Sequence, residues 1–402
     1  KKNIDDLYNK IDILNSSTGD LSKLKTEHKD DLVGAINEIV DTNQHKVYGV
    51  EVDETNLNPE TAVTYIADAV GMTPAKQGDY GSWESWLKHI SYRAVVKDGQ
   101  EQYQLDYDNP NKKLDGGDAV ITGEDGDVFT KFKHLYRRFE KTNKGYRLYI
   151  SHAPFAGAVS YTKMLEDGYN QLTNSVMVML QDLYLITHKD RDSQTALGRG
   201  YVDSNDNFAS TGGTNGKGYL YGEVTGKQQM CFLGIEGMWG NKRQWVDGLV
   251  SDSSYNLLIG YKSFNDSGSG YKKITTNTSS SLSGYVKTVQ GGEAGYVLAD
   301  KNASSSTGYC DYGALSSGRV ARFGGIRSNG SYAGAFYVSL NYSASDSDVG
   351  IGSRLCFKNE DGIYIGNYLG FEQSGKLRSI VGKEPTGGKT IGAFRTLAQA
   401  NN

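Results

Sequence analysis

The chain has 402 residues, 37% of them hydrophobic, with a formal net charge of −4 and a pI near 5.9. Lys and Arg are scattered rather than clustered, so no positive surface for a phosphate backbone is indicated and we expect no nucleic-acid partner. No run approaches the roughly 18 apolar residues of a membrane span, and the N-terminus has no apolar signal segment. We therefore expect no membrane insertion, and synthesis in a cytoplasm.

The N-terminal residues 1–45 have a helical hydrophobic period. Four apolar residues have the 3-4-3 spacing of a coiled-coil seam: Ile4, Leu7, Ile11 and Leu14. After a break at Gly19, a second apolar stripe runs through residues 32–39. Because helices this short are marginal on their own in water, we predict an oligomerisation and attachment stalk that packs on its own copies or on a partner. A helix lying on its own domain is the alternative.

Strand-like alternation dominates residues 46–150. The alternation is clearest at 47–52, 103–107 and 146–150, and turn-forming residues separate these segments. We therefore predict a small β-rich connecting domain over 46–150.

The remainder of the chain combines one helix with many short strands. Apolar residues recur at helical spacing over 176–186, and short strands in Gly-, Ser-, Asn- and Tyr-rich loops follow Gly198. The predicted fold class is α+β, with an N-terminal helical coiled-coil stalk over 1–45, the connecting domain, and a binding head over 151–402.

Glycine and tyrosine are abundant, at 50 and 28 residues, whereas there are only 5 prolines. Many glycines with few prolines favour tight turns between short strands. Tyrosine suits half-exposed surfaces that bind sugars or proteins, although covering strands is an equally good use for it.

Cysteine and histidine do not indicate a redox, metal or cofactor site. Cys231, Cys310 and Cys356 are odd in number and have no CxxC spacing, so we predict three small core residues rather than a disulfide framework or a zinc site. The six histidines have no HxxxH or HExxH spacing. We therefore predict no metal and no cofactor.

Five stretches follow, in order, the phrases of one protein family. They are LVGAINE (32–38), GDVFTKF (126–132), LYLI with SQTALGRG (183–186 and 193–200), GIEGMWGNKRQWVDG (234–248), and GGIRSNG with AGAF and GSRLCF (324–330, 333–336 and 352–357). Together they resemble tailed-bacteriophage fibre and receptor-binding proteins whose heads have the C-type-lectin-like fold, which formylglycine-generating enzymes and retroelement-diversified phage adhesins also use. The resemblance implies that residues 151–402 form such a head.

The order of the phrases departs from the family near the C-terminus. Phrases at 364–368, 377–379 and 394–398, which the family would place before the LYLI helix, close the chain here. The resemblance therefore implies a circularly permuted head, in which Asn402 lies near residues 155–165. The alternative is that the tail repeats common turn sequences.

Six residues of the resembling stretches are predicted to form a structural motif: Trp239, Gly240, Asn241, Trp245, Gly324 and Gly325. The two tryptophans would flank a corner whose glycine accepts a positive φ and whose asparagine bonds its own backbone. The glycine pair would permit close backbone approach where a strand enters the sheet.

The resemblance places the exposed, variable part of such heads between the Gly-Gly turn and the last strand, here residues 327–347. The candidate ligand-binding residues are Arg327, Ser328, Asn329, Tyr332, Tyr342, Ser345 and Asp346. Aromatic and small polar side chains are the mixture that adaptable binding surfaces use.

No catalytic residue is predicted. Cys356 has no neighbouring Cys or His in sequence, which favours a buried, inert thiol. Carboxylate pairs such as Glu236 with Asp247 could be selected from any chain with 47 acids. Asp346 and Asp348 suit loop solvation or a calcium ion as well as acid–base chemistry.

The leading hypothesis is a virion fibre subunit, trimeric and made in the host bacterial cytoplasm, that binds a host cell-surface glycan or protein. Its N-terminal helices would attach it to other virion proteins. A purely structural head or connector fibre is the alternative, and a polysaccharide depolymerase is the third possibility.

Overall fold

A computed structural model describes residues 46–205 and 207–402. Val47–Asn402 forms one compact unit. The predicted coiled-coil stalk, with its seam at Ile4, Leu7, Ile11 and Leu14, lies outside the described residues.

The predicted α+β fold class is wrong, because the described residues are mostly β. Four α-helices occur in them: Glu84–Ile90 (α1), Asn174–His188 (α2), Ser193–Ala196 (α3) and Ile391–Gln399 (α4). The longest, α2, has 15 residues, all of them buried, so it is a core helix rather than part of a stalk. Short apolar runs separated by Gly-rich turns pair across sheets over most of the described chain, so strands rather than helices dominate it.

Twenty-six strands make up most of the regular structure in the described ranges. The first thirteen are Tyr48–Asp53 (β1), Val63–Ala67 (β2), Ser91–Lys97 (β3), Gln100–Gln104 (β4), Asp127–Phe132 (β5), Tyr136–Lys141 (β6), Gly145–Ser151 (β7), Val159–Ser160 (β8), Gly168–Gln171 (β9), Leu220–Tyr221 (β10), Cys231–Phe232 (β11), Ile235–Glu236 (β12) and Arg243–Ser251 (β13). The others are Leu257–Ile259 (β14), Lys272–Ile274 (β15), Leu282–Tyr285 (β16), Thr288–Val289 (β17), Leu298–Asp300 (β18), Tyr312–Leu315 (β19), Val320–Phe323 (β20), Val338–Tyr342 (β21), Ile351–Gly352 (β22), Leu355–Asn359 (β23), Gly362–Gly366 (β24), Phe371–Gln373 (β25) and Lys376–Arg378 (β26).

Three large sheets organise these strands. The first has the order β2-β1-β7-β6-β8, the second β4-β3-β5-β24-β23-β9, and the third β15-β14-β13-β20-β21-β19-β16 with β22 parallel to β13. Smaller sheets join β10, β11 and β12, pair β17 with β18, and pair β25 with β26.

The second sheet joins early and late parts of the chain. Thr130 of β5 pairs with Ile365 of β24, and Tyr169 of β9 pairs with Phe357 of β23. The regions 46–150 and 151–402, predicted as separate domains, are therefore hydrogen-bonded to each other in one sheet.

Helix α2 lies at the centre of the hydrophobic core. The Thr173 side chain caps its start by accepting a hydrogen bond from Val176 N, and Lys189 ends it in the left-handed conformation, with φ of 53°. Apolar side chains on every face explain why the whole helix is buried. The helix contacts β1 of the first sheet and β13 of the third.

The C-terminal helix α4 brings the end of the chain to the second sheet. Arg395 of α4 donates to both carboxylate oxygens of the buried Asp247, at 2.6–3.1 Å. Asn402 Oδ1 accepts a hydrogen bond from Tyr169 N at 2.7 Å. The C-terminus thus lies against the first residues of β9, a few residues beyond the segment 155–165 expected from the permutation, which itself stays a prediction.

The three cysteines, Cys231, Cys310 and Cys356, are free and buried. None of the helices described is long and apolar enough to cross a membrane.

Candidate ligand-binding site

The chain turns a tight corner at Gly240 and Asn241. Gly240 has φ of 79°, and a Cβ there would lie 2.9 Å from the backbone N and O of Tyr201. Asn241 also has a positive φ, of 56°, and its N–H donates to Tyr201 O at 2.8 Å. Its side chain bonds the N–H and the carbonyl of Ala209, at 3.0 and 2.9 Å, rather than its own backbone as predicted. The corner therefore joins two distant chain segments.

Trp239 and Trp245 are both fully buried, but in different parts of the core. Trp239 Nε1 donates to Gly198 O at 3.1 Å, and Trp245 Nε1 donates to Lys389 O at 3.0 Å. Each indole thus anchors a separate loop.

Gly324 packs directly against this corner, and Gly325 packs against Ala333. Their φ values are 88° and 79°, and a Cβ on Gly324 would lie 2.8 Å from Met238 O. Gly240 N donates to Gly324 O at 2.9 Å. The backbone of the corner therefore excludes a side chain at Gly324, and Ala333, 2.6 Å from a Cβ on Gly325, excludes one there.

The residues after the glycine pair form the wall of a surface groove. Arg327 N donates to Asn241 O at 2.9 Å, and a 3₁₀ turn follows at Gly330–Tyr332. The groove has a volume of about 490 Å³. It is lined by Val202, Asp203, Ser204, Asn205, Tyr285, Ser328, Asn329, Gly330, Ser331 and Tyr332.

Three tyrosine rings cluster at this groove. The ring of Tyr332, which is 43% exposed, lies 5.4 Å from that of Tyr285 and 4.7 Å from that of Tyr312. Tyr285 and Tyr312 face each other across the pairing of β16 with β19, and their rings are 6.0 Å apart. The Tyr285 hydroxyl bonds Ser331 Oγ at 2.8 Å. We call Tyr285, Tyr312 and Tyr332 the tyrosine cluster.

Tyr332 is among the residues predicted from the sequence, whereas Tyr285 and Tyr312 are not. Both lie outside the 327–347 segment, and they reach Tyr332 only through strand pairing across the third sheet. The sole signal for them in the sequence is the general abundance of tyrosine.

Of the other predicted residues on this side, only Ser328 is largely exposed. Asn329 Oδ1 accepts from Ile326 N at 3.0 Å and from Arg243 Nη2 at 3.4 Å, so it shapes the turn as well as lining the groove. The Arg327 guanidinium lies over the ring of Phe208, 4.2 Å from its centre.

The remaining predicted residues lie at the far end of β21. Because β19 and β21 are parallel and pair at Ala314 with Ser339, Tyr312 is level with the start of β21. Tyr342 is five residues further on, about 17 Å at the usual rise of a strand. The structure therefore does not bring Tyr342, Ser345 and Asp346 to the groove.

Tyr342 instead covers a buried cation. Its ring centre lies 3.3 Å from the guanidinium carbon of Arg322, which is 1% exposed. Burial lowers the pKa of Arg322 to about 10. In the adjoining turn Asp346 Oδ2 accepts from Ser343 N at 2.7 Å, and Ser345 Oγ bonds Ser343 Oγ at 2.8 Å. These contacts stabilise the loop itself.

The groove carries little charge. Asp203 is the single ionisable acid among its lining residues, and it forms an ion pair with Arg199. The other side chains in the lining offer hydroxyl and amide groups or aromatic rings. Such a surface suits a neutral ligand rich in hydrogen-bonding groups.

The carboxylates considered for acid–base chemistry each stabilise a loop or helix. Glu236 accepts from Gly212 N and Thr214 N at 2.8 and 2.7 Å, and burial raises the pKa of its carboxyl. Burial also raises the pKa of the Asp247 carboxyl, whereas the hydrogen bonds and positive charge of Arg395 act to lower it. Asp348 Oδ1 accepts from Gly350 N at 2.6 Å.

Over the described ranges, no group of three or more His, Cys, Asp or Glu side chains could hold a metal ion. In comparisons with known proteins, the chain matches no protein-family model and no curated protein.

Proposed function

We propose that this protein is a virion fibre subunit of a tailed bacteriophage, and that it binds a neutral host cell-surface glycan in the groove beside Tyr332. The observation that carries the proposal is the tyrosine cluster at the edge of a polar groove. Aromatic rings offer flat apolar faces to the C–H face of a sugar, while surrounding hydroxyl and amide groups bond its hydroxyls.

The position of Tyr332 supports a ligand role over a purely structural one. A large aromatic side chain that is 43% exposed gains little for folding. Its ring is nonetheless held by two other tyrosines, and the adjoining Ser331 is bonded by Tyr285. An exposed ring held in a fixed orientation loses little conformational entropy on binding.

The phage assignment rests on the resemblance of five ordered stretches within residues 32–357. The hydrogen bond between Asn402 and Tyr169 supports the permuted head that the resemblance implies, because it places the C-terminus just before α2. The trimeric assembly and the attachment to other virion proteins stay predictions.

The concave, weakly charged groove favours a glycan over a protein receptor. A groove of about 490 Å³ accommodates a small ligand, whereas a stable protein partner would need roughly 800 Å² of surface on each side. The experiment below is therefore designed to distinguish glycan binding from two alternatives, which are binding of a protein receptor and a purely structural fibre.

The test is binding of the whole chain to an array of bacterial surface glycans, with Tyr332→Ala as the variant. We expect the wild type to bind a set of neutral glycans and the variant to bind them roughly 5- to 150-fold more weakly, since a stacked aromatic contributes about 1–3 kcal/mol. Tyr149→Ala is the matched control, because Tyr149 is a half-buried tyrosine in the first sheet.

If both variants lose glycan binding equally, or if Tyr332→Ala loses none, the assignment of the binding site to the groove beside Tyr332 is wrong. A wild type that binds no glycan would favour a protein receptor or a structural fibre. Shortened polysaccharide after incubation with the wild type would indicate a depolymerase instead.

A further inference from the structure

A second pocket adjoins the groove. Its volume is about 170 Å³, and Ser331 lines both spaces. The other residues used below, Gln194, Thr195, Arg199, Val224 and Ser305, also line it.

The wall between the two spaces is the 3₁₀ turn Gly330–Tyr332. Gln194 Nε2 fixes this turn by donating to the carbonyl oxygens of Gly330, at 3.0 Å, and of Ala333. Gln194 Oε1 in turn accepts from Arg199 Nε at 3.0 Å. The turn that presents Tyr332 to the groove is thus held from inside the second pocket.

An ion pair also spans the two spaces. Arg199 lines the second pocket and Asp203 lines the groove, and the two side chains are paired. Because their charges neutralise each other, a ligand that crosses from one space to the other meets no unpaired charge at this point. Asp192 also lines the second pocket, and its carboxylate accepts hydrogen bonds from Thr195 N and Thr195 Oγ1 at 3.0 and 2.7 Å. With these acids paired or hydrogen-bonded within the chain, the two spaces suit one extended ligand that carries no negative charge.

The second pocket differs from the groove in carrying an exposed apolar side chain. Val224 is 64% exposed, and single exposed valines are common on protein surfaces, so its exposure alone means little. Here, however, it stands in a pocket with the hydroxyls of Thr195, Ser305 and Ser331. A small apolar contact surrounded by hydroxyls fits a sugar residue that bears a methyl group.

We infer that the bound glycan is an oligosaccharide whose residue in the second pocket carries a methyl group, either in an N-acetyl substituent or as a 6-deoxy sugar. This inference rests on the proposed function, since it extends the site at Tyr332. In the bound oligosaccharide, one sugar stacks on Tyr332, and the methyl group of the adjacent sugar contacts Val224 in the second pocket.

The test uses glycans in pairs that differ in one substituent. One arm compares N-acetylated residues with their 2-hydroxyl counterparts, and the other compares 6-deoxy residues with their 6-hydroxyl counterparts. The proteins are the whole wild-type chain, Val224→Asp, Tyr332→Ala and the matched control Val349→Asp, since Val349 is a valine of similar exposure, 67%, that does not line either space.

We expect the wild type to prefer the methyl-bearing member in one of the two arms by about tenfold, as single methyl or methylene groups achieve in enzyme pockets. Val224→Asp should lose this preference while still binding the other member, and Val349→Asp should match the wild type. If wild type and Val224→Asp bind both members alike while Tyr332→Ala binds neither, the inference fails and the proposed function stands. If Tyr332→Ala binds as the wild type does, both fail.

Discussion

Residues 324–332 connect the buried corner at 239–241 with the tyrosine-lined groove, and the two regions differ in what their side chains do. At the corner, the Trp239 indole and the Asn241 amide are fully buried and bonded to backbone groups. At the groove, the Tyr332 ring is 43% exposed and lies against the rings of Tyr285 and Tyr312.

This difference separates the residues that stabilise the fold from those available to a ligand. The stretch that most resembles phage fibre heads, residues 234–248, supplies the corner and no lining residue of the groove. Replacements at the corner should therefore change the free energy of unfolding, and replacements at the tyrosine cluster should change binding.

The largest effect is expected at the corner. Trp239→Ala should lower the free energy of unfolding by about 3–5 kcal/mol, because it leaves a large cavity in the core and an unbonded Gly198 carbonyl. Denaturant unfolding measures the loss. A change below about 1 kcal/mol would contradict a structural role for the corner.

The next largest effect is a pH dependence of the free energy of unfolding, which we expect from His188, the last residue of α2. His188 is stacked on Tyr184, with 4.6 Å between ring centres, and burial lowers its pKa from 6.5 to about 3. The unfolded chain therefore binds a proton that the folded chain does not, and stability falls as the pH drops below 6.5 towards 3. At pH 4 the loss is about 3 kcal/mol.

The measurement is the free energy of unfolding between pH 7 and pH 4 for wild type and His188→Asn. The variant carries no titrating group there, so its stability should fall less steeply, whatever its value at pH 7. Parallel pH profiles for the two proteins would contradict the assignment.

A smaller effect should distinguish the two tyrosines that were predicted together as binding residues. Tyr342→Ala should cost about 2 kcal/mol, because it removes the ring over the buried Arg322. Tyr332→Ala should cost less than about 1 kcal/mol, since its ring is already partly in water. The measurement is thermal or denaturant unfolding of the two variants side by side. Equal losses of stability would contradict the distinction between Tyr342, which covers a buried cation, and Tyr332, which is exposed at the groove.

Local patterns in the sequence predicted individual elements well. Helical spacing over 176–186 corresponds to α2 at Asn174–His188, and the alternation at 47–52 and 146–150 corresponds to β1 and β7. The positive φ predicted for Gly240 is also present. These features depend on residues close together in the chain, which is why local reasoning reaches them.

Features that depend on distant pairing were missed. The tyrosine cluster exists because β16, β19 and β21 pair side by side, and nothing near Tyr285 or Tyr312 in sequence indicates that. The α+β class was wrong for the same reason, because sheets assembled from distant short strands dominate the described chain. The segment 327–347 was treated as one surface, although the length of β21 separates Tyr332 from Tyr342.

A crystal structure of the whole chain with the best-binding oligosaccharide from the array would test the glycan site at Tyr332. We expect a sugar ring stacked on Tyr332, with its hydroxyls bonded by residues that line the groove. A sugar bound elsewhere, for example in the cleft of about 510 Å³ beside Glu54 and Lys141, would contradict it.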